Sequence, residues 1–95
     1  MVTLHIEHPI TDFETWAAAF DRFAEARRTA GVRAHRVQRP VDDPHYVLVD
    51  LDFDTEDAAL AFQDFLHNVI WATAENAPAL VGTPETAVFQ LMPME

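Results

Sequence analysis

Five histidines are the side chains of this 95-residue chain that titrate near neutral pH, and they bound the acid–base chemistry it could do. His5 and Glu7 alternate with apolar Leu4 and Ile6, so they share one face of a strand. Asp50 and Asp52 occupy the mixed face of a second strand-like run. A contact between His5 and Asp50 across adjacent strands would fix the imidazole tautomer, which a general base requires. The same groups could equally form a polar network at a subunit interface, because structural ion pairs perturb titration as functional ones do. His35, beside Arg36, could line a pocket or cap a sheet edge. His8 and His45 stand at strand ends, where solvation is expected.

Other chemistries are excluded by composition. There is no Cys and no Ser, hence no thiolate metal site, no disulfide and no Cys or Ser nucleophile. No H-x-x-x-H or H-x-H pair occurs, and His5, Glu7 and His8 do not project on one face, so no metal is expected. Two glycines, Gly31 and Gly82, cannot build a phosphate loop, and no cofactor is expected. The formal charge of −10 argues against a nucleic-acid partner. All six cations are Arg and lie between Arg22 and Arg39, while residues 40–95 hold eleven carboxylates and no Lys or Arg. A patch of Arg27, Arg28, Arg33, Arg36 and Arg39 could receive a carboxylate or phenolate, or could simply be a solvated rim. No apolar run approaches a membrane span, and the N-terminus lacks a basic leader, so a cytoplasmic single domain is expected.

The element that must position these groups is the helix predicted over Asp12–Ala30. Phe13, Trp16, Ala17, Phe20, Phe23 and Ala24 follow one face of a 3.6-residue period. Thr11 with Glu14 reads as a capping box, and Gly31 stands where a left-handed C-cap belongs. Strands are expected at Val2–His8, Val32–Arg39, His45–Phe53 and Thr86–Met92. Thr55 caps a second helix whose stripe is Ala58, Ala61, Phe62, Phe65, Leu66 and Val69. Unbroken to Asn76, that helix would run about 30 Å, too long for strands of this size. A break is therefore expected near His67, followed by a short third helix to about Glu75.

The order strand, helix, strand, strand, helix, strand is the split βαβ pattern. It implies a ferredoxin-like α+β fold: a four-stranded antiparallel sheet with its helices on one face. Right-handed crossovers place the first and third strands in the centre. The other sheet face would carry Tyr46, Leu48 and Val88 or Met92, too apolar to stay wet, so a second copy should cover it as a homodimer.

Asp12-Phe13-x-x-Trp16-x-x-x-Phe20-Asp21, then Arg28, Gly31, His35-Arg36-Val37 and Arg39, resemble the small dimeric α/β-barrel proteins of the antibiotic-biosynthesis-monooxygenase group. Asp42-Asp43-Pro44, Phe53, Ala58, Phe62 and Val81-Gly82-x-Pro84 extend the resemblance over nearly the whole chain. It implies a homodimer with sheets face to face and a pocket between each sheet and its own helices. Members with known activity oxidise polycyclic aromatics without metal or flavin, isomerise or cyclise small metabolites, or degrade haem. In the aromatic-oxidising members an Asn, a Trp and a Tyr wall the pocket; Asn68, Trp71 and Tyr46 are the nearest counterparts. His67 and Trp71 would be the helix pair of a haem-degrading member. The resulting expectation is a small-molecule-binding dimer, acting as a cofactor-independent monooxygenase or cyclase on an aromatic or polyketide-like substrate. His5 or His35 would be its base, and Tyr46, His67, Asn68 and Trp71 would form the pocket. The competing expectation is a non-catalytic binding module of the same fold.

Overall fold

The computed structural model describes residues 1–94. Its elements are β1 (Val2–Pro9), α1 (Phe13–Arg22), α2 (Ala24–Ala30), β2 (Ala34–Gln38), β3 (Tyr46–Phe53), α3 (Glu56–Phe65), a π turn (Leu66–Ile70) and β4 (Glu85–Gln90). The strands form one antiparallel sheet in the order β2-β3-β1-β4, with the first and third central as expected. This is the ferredoxin-like α+β arrangement.

The period of two assigns the faces. Leu4 and Ile6 of β1 join Val47, Val49, Leu51 and Phe53 of β3 in the core, beneath Ala59 and Phe62 of α3. The opposite face carries Thr3, His5 and Glu7 with Tyr46, Leu48, Asp50 and Asp52. On β4 the register sets Val88 beside Leu4 and Ala87 beside His5. Val88 therefore packs against the core, and Ala87 and Phe89 are the β4 residues of the open face. Met92 lies beyond β4 and is exposed.

The expected single first helix is two. Asp12, not Thr11, is the N-cap, its carboxylate accepting from the Thr15 amide at 2.8 Å. Thr11 lies in a bend before the helix, its amide bonded to the Ala79 carbonyl. The break falls at Phe23, which is neither Gly nor Pro. The Phe20 carbonyl there accepts both from the Phe23 amide at 3.2 Å and from Nη1 of Arg27 at 2.6 Å, a side chain joining the helix ladder. Gly31 closes α2 in the left-handed region (φ 96°).

Thr55 caps α3 as expected, accepting from the Ala58 amide. The break near His67 is a π turn, closed by Trp71 N–H donating to the Leu66 carbonyl at 2.7 Å. The extra residue per turn rotates the faces that follow it, whereas the places of Ala59 and Ala61 are set by α3 itself. Ala59, Phe62, Leu66 and Ile70 are buried, whereas Ala61 and Val69 of the expected stripe are exposed. No third helix follows to Glu75. Asn76 instead donates from its side chain to the Val69 carbonyl and from its backbone to Thr73 Oγ1. Side chains that compete for backbone partners favour such a turn over a helix.

Candidate functional site

Polar side chains gather in two places, on opposite faces of the sheet. On the open face, His5 lies 2.7 Å from Asp50 through Nδ1 and 2.7 Å from Glu7 through Nε2. The Tyr46 hydroxyl donates to the second Glu7 oxygen at 2.8 Å, and Thr3 donates to Asp52 at 2.7 Å. Arg36 closes the network at 3.5 Å from Asp50 and 3.4 Å from Asp52. Desolvation alone would lower the His5 pKa, but bonds from Glu7 and Asp50, with their charges, hold it above the ordinary value. The bond to the Glu7 carboxylate pushes the Tyr46 hydroxyl up to about 12, so it stays a donor at neutral pH. Both nitrogens of His5 are thus engaged, and neither is free to take a proton from a ligand.

The second place is a half-open cleft between the helix-covered face and the helices, with about 80 Å³ of free volume. Ile6, Val49 and Leu51 of the sheet form part of its lining. Trp16, Phe20 and Phe23 line it from α1 and its junction with α2. Phe62, Leu66, Ile70 and Trp71 line it from α3 and the π turn. Three polar side chains interrupt this apolar surface: His8, Arg27 and Asn76.

His8 is 4% exposed. Its Nδ1 is 2.9 Å from the Pro9 carbonyl, an acceptor only, so Nδ1 carries the proton and Nε2 is left with a lone pair. Burial pushes the imidazole pKa down, which keeps the ring neutral. Trp71 meets the ring edge-on, with centroids 6.4 Å apart. Arg27 is 7% exposed, its guanidinium carbon 3.6 Å from the Phe20 ring centroid. The arrangement offers a neutral base, a cation and an amide within an apolar enclosure, the usual make-up of a small-molecule site.

No protein-family profile matches the sequence, and neither does any curated protein. Solved structures do match. The fold is that of the dimeric ferredoxin-like proteins. One such protein, from an uncultured marine organism, is 14% identical over 99% of this chain and 96% of its own, with a TM-score of 0.68. SnoaB, a cofactor-independent oxygenase from Streptomyces nogalater, is 19% identical over 98% of this chain and 94% of its own, at 0.70. A protein of Nitrosomonas europaea described as a candidate antibiotic biosynthesis monooxygenase is 15% identical over 98% of this chain and 100% of its own, at 0.72. These likenesses span the whole ferredoxin-like unit.

Within that unit, the residues singled out from sequence separate. Trp71 lines the cleft. Tyr46 does not, because its place in the β3 alternation puts it on the open face. His67 and Asn68 ride the outer side of the π turn and are exposed, although the His67 ring sits edge-on to Trp71 at 4.9 Å. His35 projects to the helix-covered face at the sheet edge, exposed and 5.6 Å from the Phe20 ring, outside the lining. His5 reaches Asp50, but on the face away from the cleft. The arginines scatter likewise. Arg28 pairs with Glu25, Arg33 with Asp54, and Arg39 lies over Phe13, so only Arg27 reaches the cleft.

His8 was expected to be solvated, and Arg27 was expected only as one of a patch of five arginines. His8 continues the Leu4-Ile6 alternation onto the core face and is not solvated. Arg27 continues the Phe20-Phe23 stripe at helical spacing. Phase was the available signal in both.

His5 and His8 make stability depend on pH in opposite directions. His5, raised above 6.5, contributes stability that is complete below that value and is lost as pH rises through its folded pKa. His8, lowered below 6.5, costs nothing above that value and destabilises increasingly as pH falls toward its folded pKa. Thermal melts from pH 5 to 8 should therefore peak near ~6.5. His5→Asn should flatten the alkaline side and His8→Asn the acid side. A wild-type profile that is flat across this range would contradict both assignments.

Proposed function

We propose that the chain is a small-molecule-binding homodimer whose cleft takes an aromatic substrate and deprotonates it for reaction with oxygen. The observation that carries this reading is His8: a buried neutral imidazole, oriented by the Pro9 carbonyl, with Nε2 unengaged in an apolar cleft beside Trp71. Such a nitrogen can take a proton from a phenol or an activated ring methylene. The resulting anion gives electrons to dioxygen. One oxygen atom enters the ring carbon, the other leaves as water, and a methylene becomes a carbonyl. The electrons come from the substrate, so the step calls for no cofactor. Oxygenase chemistry in a protein of the same fold, SnoaB, supports the reading.

The homodimer is supported by the open face and by the dimeric ferredoxin-like neighbours. Leu48 and Ala87 lie on that face beside Phe89, which is 54% exposed, and Leu91 and Met92 beyond β4 are more exposed still. Covering these side chains with a second copy would remove an apolar surface and bury the His5 network.

The free volume favours a second reading. About 80 Å³ is well short of the ~300–1,000 Å³ of most ligand sites, so about one ring can be enclosed unless the cleft opens. A non-catalytic module that binds a small aromatic group would need no more. The haem-degrading reading gains nothing, since His67 lies outside the cleft.

Light scattering at micromolar concentration should give twice 10.7 kDa. A panel of naphthols, anthrones and flavonoids should quench Trp fluorescence and raise the melting temperature, because binding is to the folded state only. Trp71→Ala should weaken that binding while leaving the dimer intact. Oxygen uptake with an anthrone separates the two readings: binding without uptake selects the module.

A further inference from the structure

The cleft contains a cation whose charge no carboxylate neutralises. Arg27 is 93% buried by its 7% exposure, yet it makes no ion pair among the described residues. Asp21 acts on it only through its field, from beyond pairing distance. One of its five donors is used, on the Phe20 carbonyl, and the guanidinium lies over the Phe20 ring. Capping that carbonyl explains why a polar side chain stands at the α1–α2 junction. It does not explain a full positive charge, since an amide or a hydroxyl would cap as well at far lower desolvation cost. Among the described residues no fully enclosed side-chain nitrogen lacks a partner, so the unused Arg27 donors keep an opening to the cleft, where a ligand of opposite charge would offset the cost of burying the cation.

We infer that the cleft selects aromatic ligands bearing an oxyanion, with Arg27 as the counter-ion. The inference rests on the cleft being a ligand site, and adds what kind of ligand it takes. Phe20 and Trp71 line the cleft with aromatic carbon, which suits a ring, and its free volume encloses about one ring of a naphthalene frame, leaving the second at the half-open mouth. A guanidinium pairs with a carboxylate in two parallel bonds, or with a phenolate oxygen in one. Both ligands present the same chemistry, an anionic oxygen on an aromatic carbon frame. Set against His8, the pairing has a direction. His8 takes the proton, and Arg27 holds the negative charge that the ring keeps.

The test measures binding of naphthoate, naphthol and methylnaphthalene by calorimetry and by Trp fluorescence. Wild type should bind naphthoate at least tenfold more tightly than methylnaphthalene, with the preference shrinking as salt is raised. Arg27→Met should abolish the preference and keep binding of the neutral hydrocarbon, while Arg27→Lys should retain part of it. Naphthol binding that tightens as the pH approaches its ionisation would assign the phenolate; tight naphthoate with indifferent naphthol would assign the carboxylate. Equal binding of naphthoate and methylnaphthalene by wild type overturns the inference and leaves the cleft as a neutral aromatic site. So does an Arg27→Met protein that keeps the anion preference. Failure of all three ligands overturns the ligand-site reading itself. The wild-type comparison needs no variant, so a misfolded Arg27→Met protein does not blunt the test.

Discussion

Replacing His8 with Asn is expected to lower oxygen-dependent turnover of a phenol or anthrone by ~10²–10⁴-fold, the range a positioned general base supplies. Asparagine is the informative choice. Its amide nitrogen can stand where Nδ1 stands and donate to the Pro9 carbonyl, so the bond that orients the ring is kept. Nε2, the proton acceptor, is removed. Far-ultraviolet circular dichroism and a melt confirm the fold, and oxygen uptake reads the chemistry. His5→Asn is the control from the other face of the sheet. Its nitrogens are bonded to Asp50 and Glu7, so its loss should lower stability most below pH 6.5, where its contribution is complete, and leave turnover little changed. A His8→Asn protein with wild-type turnover would take the base out of the cleft. If turnover collapses in His5→Asn instead, the reactive face is the open one.

Phe53→Ala is expected to cost ~3–5 kcal/mol, the usual range for an aromatic deleted from a core. Phe53 is the largest fully buried side chain, 0% exposed, and its ring meets Phe62 of α3 at 5.9 Å. Removing it opens a void between the central strand and the helix that seals the core. A domain of this length holds only about 5–14 kcal/mol in all, so the variant should be marginal at room temperature. Trp16→Ala should cost less than its size suggests. Trp16 stacks on Phe20 at 4.8 Å but is only partly buried, because one side faces the open cleft. Urea titrations of the two variants test the ranking. A Trp16→Ala protein less stable than Phe53→Ala would mean that the cleft is closed in solution and Trp16 belongs to the core.

The open-face network and the cleft differ in what they ask of the protein. The network satisfies each of its carboxylates and both nitrogens of His5, as a surface needs before a second copy covers it. The cleft leaves His8 Nε2 and most of the Arg27 donors without protein partners. Unspent polar capacity inside an apolar enclosure marks a place where a ligand completes the bonding.

The architecture was legible from the chain itself. Alternation at Val2–His8 and His45–Phe53 defines strands with one buried face, and the split βαβ order admits few topologies. Adjacency of β1 and β3 followed, and with it the His5–Asp50 contact. Tertiary structure decided which polar groups are enclosed, because periodicity reports direction and not environment. His8 was in phase with Leu4 and Ile6, yet only the π turn and Trp71 packed above it make that place dry. Arg27 was in phase with Phe20 and Phe23, yet only the helix break opens the Phe20 carbonyl to the guanidinium as a second donor. His67 and Asn68 were off the apolar stripe of the second helix and are exposed, but the rotation just beyond them could not be read from a 3.6-residue period. A π turn adds a residue per turn and rotates every later side chain, so Ile70 is buried where Val69 was expected. Local pattern thus determined the sheet, its faces and its central pair. The packing of non-local elements decided the cleft, because desolvation depends on neighbours that sequence distance does not reveal.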